Sequence, residues 1–496
     1  MTQRYDVMVV GAGSAGCLVA ARLAAGGTRS VLLLEAGPDL QESVSPALRD
    51  GWALPRGPDW PFDWGYESEP DAAGNTSPLR RGRVVGGTSW LTRFAVRGSP
   101  ADYDAWAASG LEGWSFEDVL PFFRTIESDA DYGAEPWHGT DGPIPINRYL
   151  NEPRAGVHAA VVEALVADGL PAVDDINRPD ALGVGPMPMS SIDGRRVSAA
   201  DAFLSIDGQP SSLAMRPDTQ VASVVVRANR ATGVRLLDGS EIEAGEIVLC
   251  AGTYGSPALL LRSGIGPAAD LRALGLPVVV DLPGVGANLA DHPGVELVLG
   301  WAGNVRPGPL FHSLALWHSA SSATGSSPDL MFWVADPQGD PASISIECVL
   351  MRPRSRGRIR LGSADPAAPP RISMPNVSTA DDSERLAEAY LRAVDVADRP
   401  ELRGFGPLPS DTVRSTGADL RRTVIENVYH VPHVVGTCTM GVSPRDGAVV
   451  DASGRVHGID GLRVIDASII PEPPSGFPNL ITMMIAARIS SEMTAA

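Results

Sequence analysis

Three groups of residues in this chain have side chains and spacings suited to binding or catalysis. The first is GAGSAG, which places Gly11, Gly13 and Gly16 directly after the apolar run YDVMVV and at the start of a helical pattern, CLVAARLAAG. In that setting Gly11 permits a tight turn, Gly13 lets a pyrophosphate approach the backbone, and Gly16 lets helix and strand pack closely. The helix start at Ser14 and Ala15 then offers its N–H groups to an anion. The second is Glu35, followed by Ala36, which ends the next apolar run, SVLLLEAG, 24 residues after Gly11. A carboxylate there can hold ribose hydroxyls, and its charge favours FAD or NAD over NADP. The third is the pair His430 and His433 in YHVPHVVGT. A neutral imidazole suits removal of a proton near pH 7. No carboxylate or cysteine partner stands nearby in sequence, so the spacing does not favour a metal site.

The elements that position these residues follow from the pattern. The runs at 5–10 and 30–37 are buried strands joined by a helix, one βαβ unit. Residues 38–80 lack periodicity and are expected to run over the surface. GRVVGGTS (82–89) is a glycine-dense turn expected to open a helix, and 102–126 is expected to be helical. A helix over 155–169 ends at a glycine cap. SLAMRP, ASVVVRAN, ATGVRLL and EIVLCAG, between 211 and 252, have the texture of short strands, as do SISIECVLMRP and RGRIRLGS further on. A helix covers 381–397, a last strand 461–465, and a final helix starts near Asn479.

Nucleotide-type strands thus open and close the chain around a middle of different texture. The expected architecture is α/β: a Rossmann-like cofactor domain from 1–152, 200–295 and 430–496, and a second α+β domain, from 153–199 and 296–429, built on a mixed or antiparallel sheet.

With 496 residues, 44% hydrophobic and 20% charged, the chain has the composition of a soluble globular protein of two lobes. Its net charge of -19 argues against nucleic acid or an anionic membrane as partner. No apolar run reaches the roughly 18 residues of a transmembrane span, and neither a leader before the first strand nor a location outside the cytoplasm is expected. Cys17, Cys250, Cys348 and Cys438 form no C-x-x-C pair, and each suits a small buried side chain.

Two segments, GRVVGGTSWL (82–91) and GTYGSPALLLRSGIG (252–266), resemble the two signatures of the glucose–methanol–choline (GMC) oxidoreductase family. PGVGANLADHP, HVVGTCTMG and GLRVIDASIIP resemble further family blocks in the expected order. The resemblance covers both ends and much of the middle, and is weakest over 296–430. It implies FAD-dependent oxidation of an alcohol, with hydride passing to the flavin and a histidine as base. His433 matches the family's H-x-x-G-T block, and His430 is the alternative.

The resemblance also implies contacts to FAD: Gly11, Gly13 and Gly16 at the pyrophosphate, Glu35 at the ribose, and Gly86, Gly87, Thr88 and Ser89 along the flavin and its phosphates. Val221 would meet the adenine through its backbone, Asp466 and Ala467 the phosphates and ribityl chain, and Asn479 the flavin pyrimidine. Leu91 stands where some members carry a histidine linked to FAD, which implies non-covalent binding.

Two positions depart from the family pattern. Phe477 replaces a second polar side chain, usually His or Asn, and Thr92 replaces Asn or His; Ser475 and Glu472 are the nearby polar candidates. The partners implied are a small alcohol and an electron acceptor: oxygen, a quinone or a redox carrier. Among branches, the short length and GPIPI (142–146) resemble the aryl- or furfuryl-alcohol type, and one associated with the redox peptide mycofactocin is the alternative. Other readings are a lyase holding FAD structurally, as hydroxynitrile lyases do, a NAD-dependent dehydrogenase, and a flavoprotein scaffold without turnover.

Overall fold

The apolar run Tyr5–Val10 lies at the middle of a seven-stranded sheet in the computed structural model, which describes residues 4–495 except 41–42, 53–59, 71–73, 75, 152–155, 205–209, 302–310, 339–342, 375–376, 407, 410–411 and 415. Val31–Leu34 and then Leu213–Arg216 pair parallel on one side of it, and Glu241–Leu249 pairs parallel on the other. Glu241–Leu249 then forks. Its first residues join the antiparallel hairpin strands Arg230–Leu236 and Val221–Arg227, while Ile247–Leu249 pair parallel with Leu462–Val464. These strands are almost wholly apolar and buried at their centres, and the first helix packs across Tyr5–Val10, Val31–Leu34 and Leu213–Arg216. The first helix, Ser14–Ala25, packs against the last, Pro478–Ala495, whose residues from Leu480 to Ser490 are all buried. Such all-round burial explains why the last helix has no polar stripe.

The second sheet has six strands in the order Tyr429–Val435, Ala290–Gly300, Ser343–Leu350, Leu330–Gln338, Phe311–Trp317 and Gly183–Pro186, antiparallel throughout. One face packs on helices Gly156–Ala167 and Ala380–Ala397 through Leu297, Phe332, Ile346, Leu386 and their neighbours. The opposite face carries Phe311, Trp333, Val349 and Val431 and meets Phe94 and Phe477 from the first lobe. Alternation along each strand separates the two sets. The division of the chain into two domains at the residues given above is proposed on these two clusters. Its 152/153 boundary lies outside the described residues, and Tyr429–Val435 pairs with the second sheet while leading into the first lobe.

Two expectations need correction. GRVVGGTS opens only a single 3₁₀ turn, Gly87–Trp90, because Gly86 and Gly87 both take positive φ (98° and 54°) and the chain turns away at Leu91. Residues 102–126 are two helices, Pro100–Ala108 and Phe116–Ile126, each begun by a capping box, at Ser99 and Ser115. Gly110 and Gly113, at φ of 96° and 75°, break the run between them.

Gly16 fixes how closely the first helix meets its strand, since a β-carbon there would stand 1.8 Å from the Gly11 carbonyl oxygen, which is backbone and cannot yield. Gly16→Ala is therefore expected to cost about 3 kcal/mol or more, read as a fall in thermal midpoint or the loss of soluble protein.

Candidate active site

Between the two sheets runs a cavity of about 700 Å³ with two chemically distinct ends. At one end the walls are backbone. Gly13 caps the first helix without a side-chain bond, and a β-carbon on it would meet nothing within 4 Å, so the helix end opens on the cavity. Gly87 comes so close that its own β-carbon would lie 2.7 Å from the Gly13 α-carbon. Glu35 is held at the same end by the N–H groups of Ala12 (2.8 Å) and Gly37 (2.9 Å), and burial pushes its carboxyl up to about 7 against their pull. Hydroxyl donors from a ligand would favour the charged form again. A helix N-terminus, a glycine the ligand can approach and a buried carboxylate together fit the phosphates and ribose of a dinucleotide.

The other end is aromatic, walled by Phe94, Phe311, Trp333 and Phe477 around His433. The Phe477 ring lies 4.6 Å from the His433 ring, centroid to centroid. In the same wall Trp333 and Tyr429 both donate to the Glu347 carboxylate. Residues 429, 431 and 433 share one face of their strand, and 430 shares the other. Accordingly His433 lines the cavity and His430 does not.

A second histidine stands behind the first: His292 Nδ1 is 3.1 Å from His433 Nδ1. Asp291, at a bulge between the two strands, accepts the backbone N–H of both His292 and His433 at 2.8 Å each. Burial holds His433 well below the usual 6.5, helped by His292 and Arg81, and pushes His292 down to about 3. His430 falls to about 4 for the same reason, while burial raises Asp291 to about 8 with Arg81 opposing. Both His292 and His433 are thus neutral near pH 7. A neutral imidazole facing an enclosed apolar space can accept a proton from a bound hydroxyl.

The structure gathers most of the residues singled out from sequence along one cavity: Gly11, Gly13, Ser14, Ala15, Glu35, Ala36, Gly87, Thr88, Val221, His433, Asp466, Ala467 and Asn479. Ser14 Oγ donates to Asn479 Oδ1 at 2.7 Å, joining the starts of the first and last helices. Gly16, Gly86 and Ser89 do not line it. Ser89 Oγ donates to the Gly86 carbonyl and accepts from Ala199 N, so it shapes the turn. Asp466 spends its carboxylate on Gly252 N, Ser256 Oγ and Ser468 N, which clamps the helix start after Ala251.

Neither polar candidate near Phe477 reaches His433. Ser475 bonds Asp102, and Glu472 pairs with Arg356 at the surface. Phe477 itself occupies the place beside the imidazole, and Leu91 and Thr92 line the cavity. His292 and the aromatic wall went unread in the sequence; only the DHP triplet at 291–293 hinted at the former. Among the described residues no group of side chains suits a metal ion, and no helix is long and apolar enough to cross a membrane.

Comparison with known proteins places these features in a family. Two models described as GMC oxidoreductase match residues 5–294 and 353–486. The chain is 36% identical over 524 aligned residues to 5-(hydroxymethyl)furfural oxidase of Methylovorus sp. (strain MP688), covering 98% of each chain. It is 34% identical to oxygen-dependent choline dehydrogenase of Pseudomonas fluorescens (strain Pf0-1), covering 99% of this chain and 94% of that one. Pyridoxine 4-oxidase from Mesorbium loti superposes with a TM-score of 0.91 at 31% identity, with 99% of each chain covered.

The open space beside Gly13 gives a test that separates folding from binding. Gly13→Ala is expected to leave the thermal midpoint of the FAD-free protein unchanged, yet raise the FAD dissociation constant about tenfold or more by placing a methyl where phosphate would lie, as read by flavin titration.

Proposed function

The chain belongs to the GMC oxidoreductase family, and we propose that His433 is the base in its reaction. That reaction is FAD-dependent oxidation of an alcohol, the chemistry of the family and of relatives named as oxidases and a dehydrogenase. When bound, FAD supplies the acceptor for the hydride that leaves the alcohol carbon. The observation that carries the assignment of the base is positional: His433 is the neutral imidazole that the strand presents to the cavity, with His430 turned to the other face.

In this reading the first helix start and Gly13 hold the pyrophosphate, and Glu35 the ribose. Gly87, Thr88, Ala467 and Asn479 lie along the remainder, and Val221 offers its backbone to the adenine. Leu91 has no atom able to bond to the flavin, so the cofactor is held without a covalent link. His433 Nε2 takes the hydroxyl proton while Phe477 and Trp333 exclude water and align the substrate. The substrate proposed is an aryl or furfuryl alcohol, whose flat ring matches the walls of Phe94, Phe311, Trp333 and Phe477.

The acceptor proposed is a quinone-like or carrier molecule in preference to oxygen. Oxygen becomes an anion on taking its first electron, and a hydrogen-bond donor would stabilise it. Phe477 puts an apolar ring at that place. A cytoplasmic location is also proposed, supported by four cysteines that are free and buried.

The decisive experiment is anaerobic mixing with a panel of aryl, aliphatic and polyol alcohols while the flavin absorbance is followed. His433→Ala is expected to retain FAD but slow bleaching by about two to four orders of magnitude, and His430→Ala far less; the opposite ranking would move the base to His430. A base whose pKa lies well below 6.5 stays unprotonated as pH falls, so the limiting rate should be flat from about pH 8 to about pH 6.5 and decline only below. Acid precipitation should leave a colourless pellet and free FAD in the supernatant. With substrate-reduced enzyme, reoxidation by air should be slower than turnover supported by an artificial dye, and equal rates would return the protein to the oxidases.

A further inference from the structure

The two histidines that meet through their Nδ1 atoms are not interchangeable. Each is neutral, and a neutral imidazole carries one ring N–H. A hydrogen bond between two Nδ1 atoms therefore has a defined sense. If His292 donates, His433 keeps its hydrogen on Nε2 and has no lone pair to offer the cavity. If His433 donates, its Nε2 is bare and ready to accept a proton.

We propose that His292 is a positioning residue: its Nδ1 accepts the Nδ1–H of His433 at 3.1 Å and so holds His433 with Nε2 unprotonated toward the cavity. This rests on the assignment of His433 as base, and three observations carry it. His292 is fully buried, and the carbonyls of Met351 and Pro474 act on its ring so as to favour a proton there. With Nδ1 committed to His433, that proton belongs on Nε2, which makes no full hydrogen bond of its own. The reverse sense would leave Nε2 a bare lone pair with no donor to meet it in a site sealed from water.

Second, the single carboxylate of Asp291 holds the backbone of both histidines at 2.8 Å, and the rings cross at 86°, so the pairing is built into the strand bulge. Third, the His433 ring makes no other hydrogen bond among the described residues, and the rings of Phe477 and Trp333 stand next to it. The proton balance is simple. The hydroxyl proton moves to Nε2, the imidazolium keeps its Nδ1–H, and the bond to His292 strengthens as positive charge develops. No hydrogen need be relocated beforehand.

The test has two arms. Nitrogen-15 NMR of the FAD-loaded protein, labelled at its eight histidines, reads the tautomer, with the His433 signals identified by their loss in His433→Ala. A protonated Nδ1 and unprotonated Nε2 on His433 are expected; the reverse would overturn the proposal without any variant of His292 having to fold. The second arm compares His292→Leu, which removes the acceptor, with His292→Asn, whose side-chain oxygen can take the place of Nδ1. The leucine variant should lower the limiting rate of anaerobic reduction about tenfold to a hundredfold, with substrate affinity and FAD content unchanged, and asparagine should restore most of it. Equal losses in both variants would mark a structural role and overturn the proposal, as would no loss in either. Undiminished reduction in His433→Ala would instead refute the base, while the NMR arm still decides the sense of the bond.

Discussion

At one end of the cavity backbone meets backbone with nothing between, and the rest of the site depends on that contact. Gly11 lies against the Cys250 carbonyl, Gly16 against the Gly11 carbonyl, Gly37 against the Arg83 carbonyl, and Gly87 against Gly13. A β-carbon at any of these four would fall within 3 Å of a backbone atom. Three separated stretches of chain can therefore converge on one helix end only because each arrives as glycine. The Gly86 N–H bond to the Ala12 carbonyl, at 2.7 Å, and the Gly252 N–H bond to Asp466 lock that convergence. What remains exposed to the cavity is a helix end with no side chain over it, which is the condition for bringing phosphate close.

The aromatic end around His433 is assembled differently, from side chains that the second sheet delivers and the first lobe holds in place. The strand Tyr429–Val435 begins in the second sheet, and the chain beyond it enters the first lobe through Gly436 N to Ala467 O, Cys438 N to Ser468 O, and Thr437 Oγ1 to Thr253 O. His433 sits just before that crossing, so its position is set by both lobes. Phe477 is fixed from the other direction: its N–H bonds the Val96 carbonyl, and Gly476 presses on the backbone of Arg97 and Gly98. Arg97 in turn belongs to a buried ionic network with Glu127, His138, Asp175, Arg148 and Asp129. Such networks contribute little net stability, since desolvation offsets the attraction, but loss of one partner leaves a buried charge exposed to that penalty. Here the consequence is geometric, because the network anchors the segment against which Phe477 is held.

Much of the fold was legible in the sequence where the pattern was unbroken. The runs at 5–10 and 30–37, the hairpin texture from 211 to 252 and the last helix all stand where periodicity and glycine placed them. The strands Phe311–Trp317 and Leu330–Gln338 were not singled out because FHSLALW keeps no strict alternation and LMFWVA is a continuous apolar run. Tyr429–Val435 was hidden by Pro432, which a central strand would not tolerate; as the outermost strand of its sheet it has no partner on one side to miss the N–H. The candidate residues of the nucleotide end were legible because their spacing carries the geometry. His292 was not, since its pairing with His433 joins positions 141 residues apart and depends on register alone.

The placement of polarity around His433 reverses an expectation drawn from resemblance. A second hydrogen-bonding group facing the first across the substrate would share the developing charge from the front. Here the front is Phe477, and the polar group is His292 behind, sealed from water. A donor in front competes with the substrate hydroxyl for the base and must be desolvated whenever a substrate enters. A partner behind does neither, because its single bond to Nδ1 is made before and after proton transfer alike. With His433 proposed as the base, an apolar front would leave orientation of the alcohol to ring packing against Phe94, Trp333 and Phe477 and to reach to Nε2. Substitution of Phe477 by a polar residue would add a competing bond at the front, while in the proposed arrangement the tautomer would still be set from behind by His292.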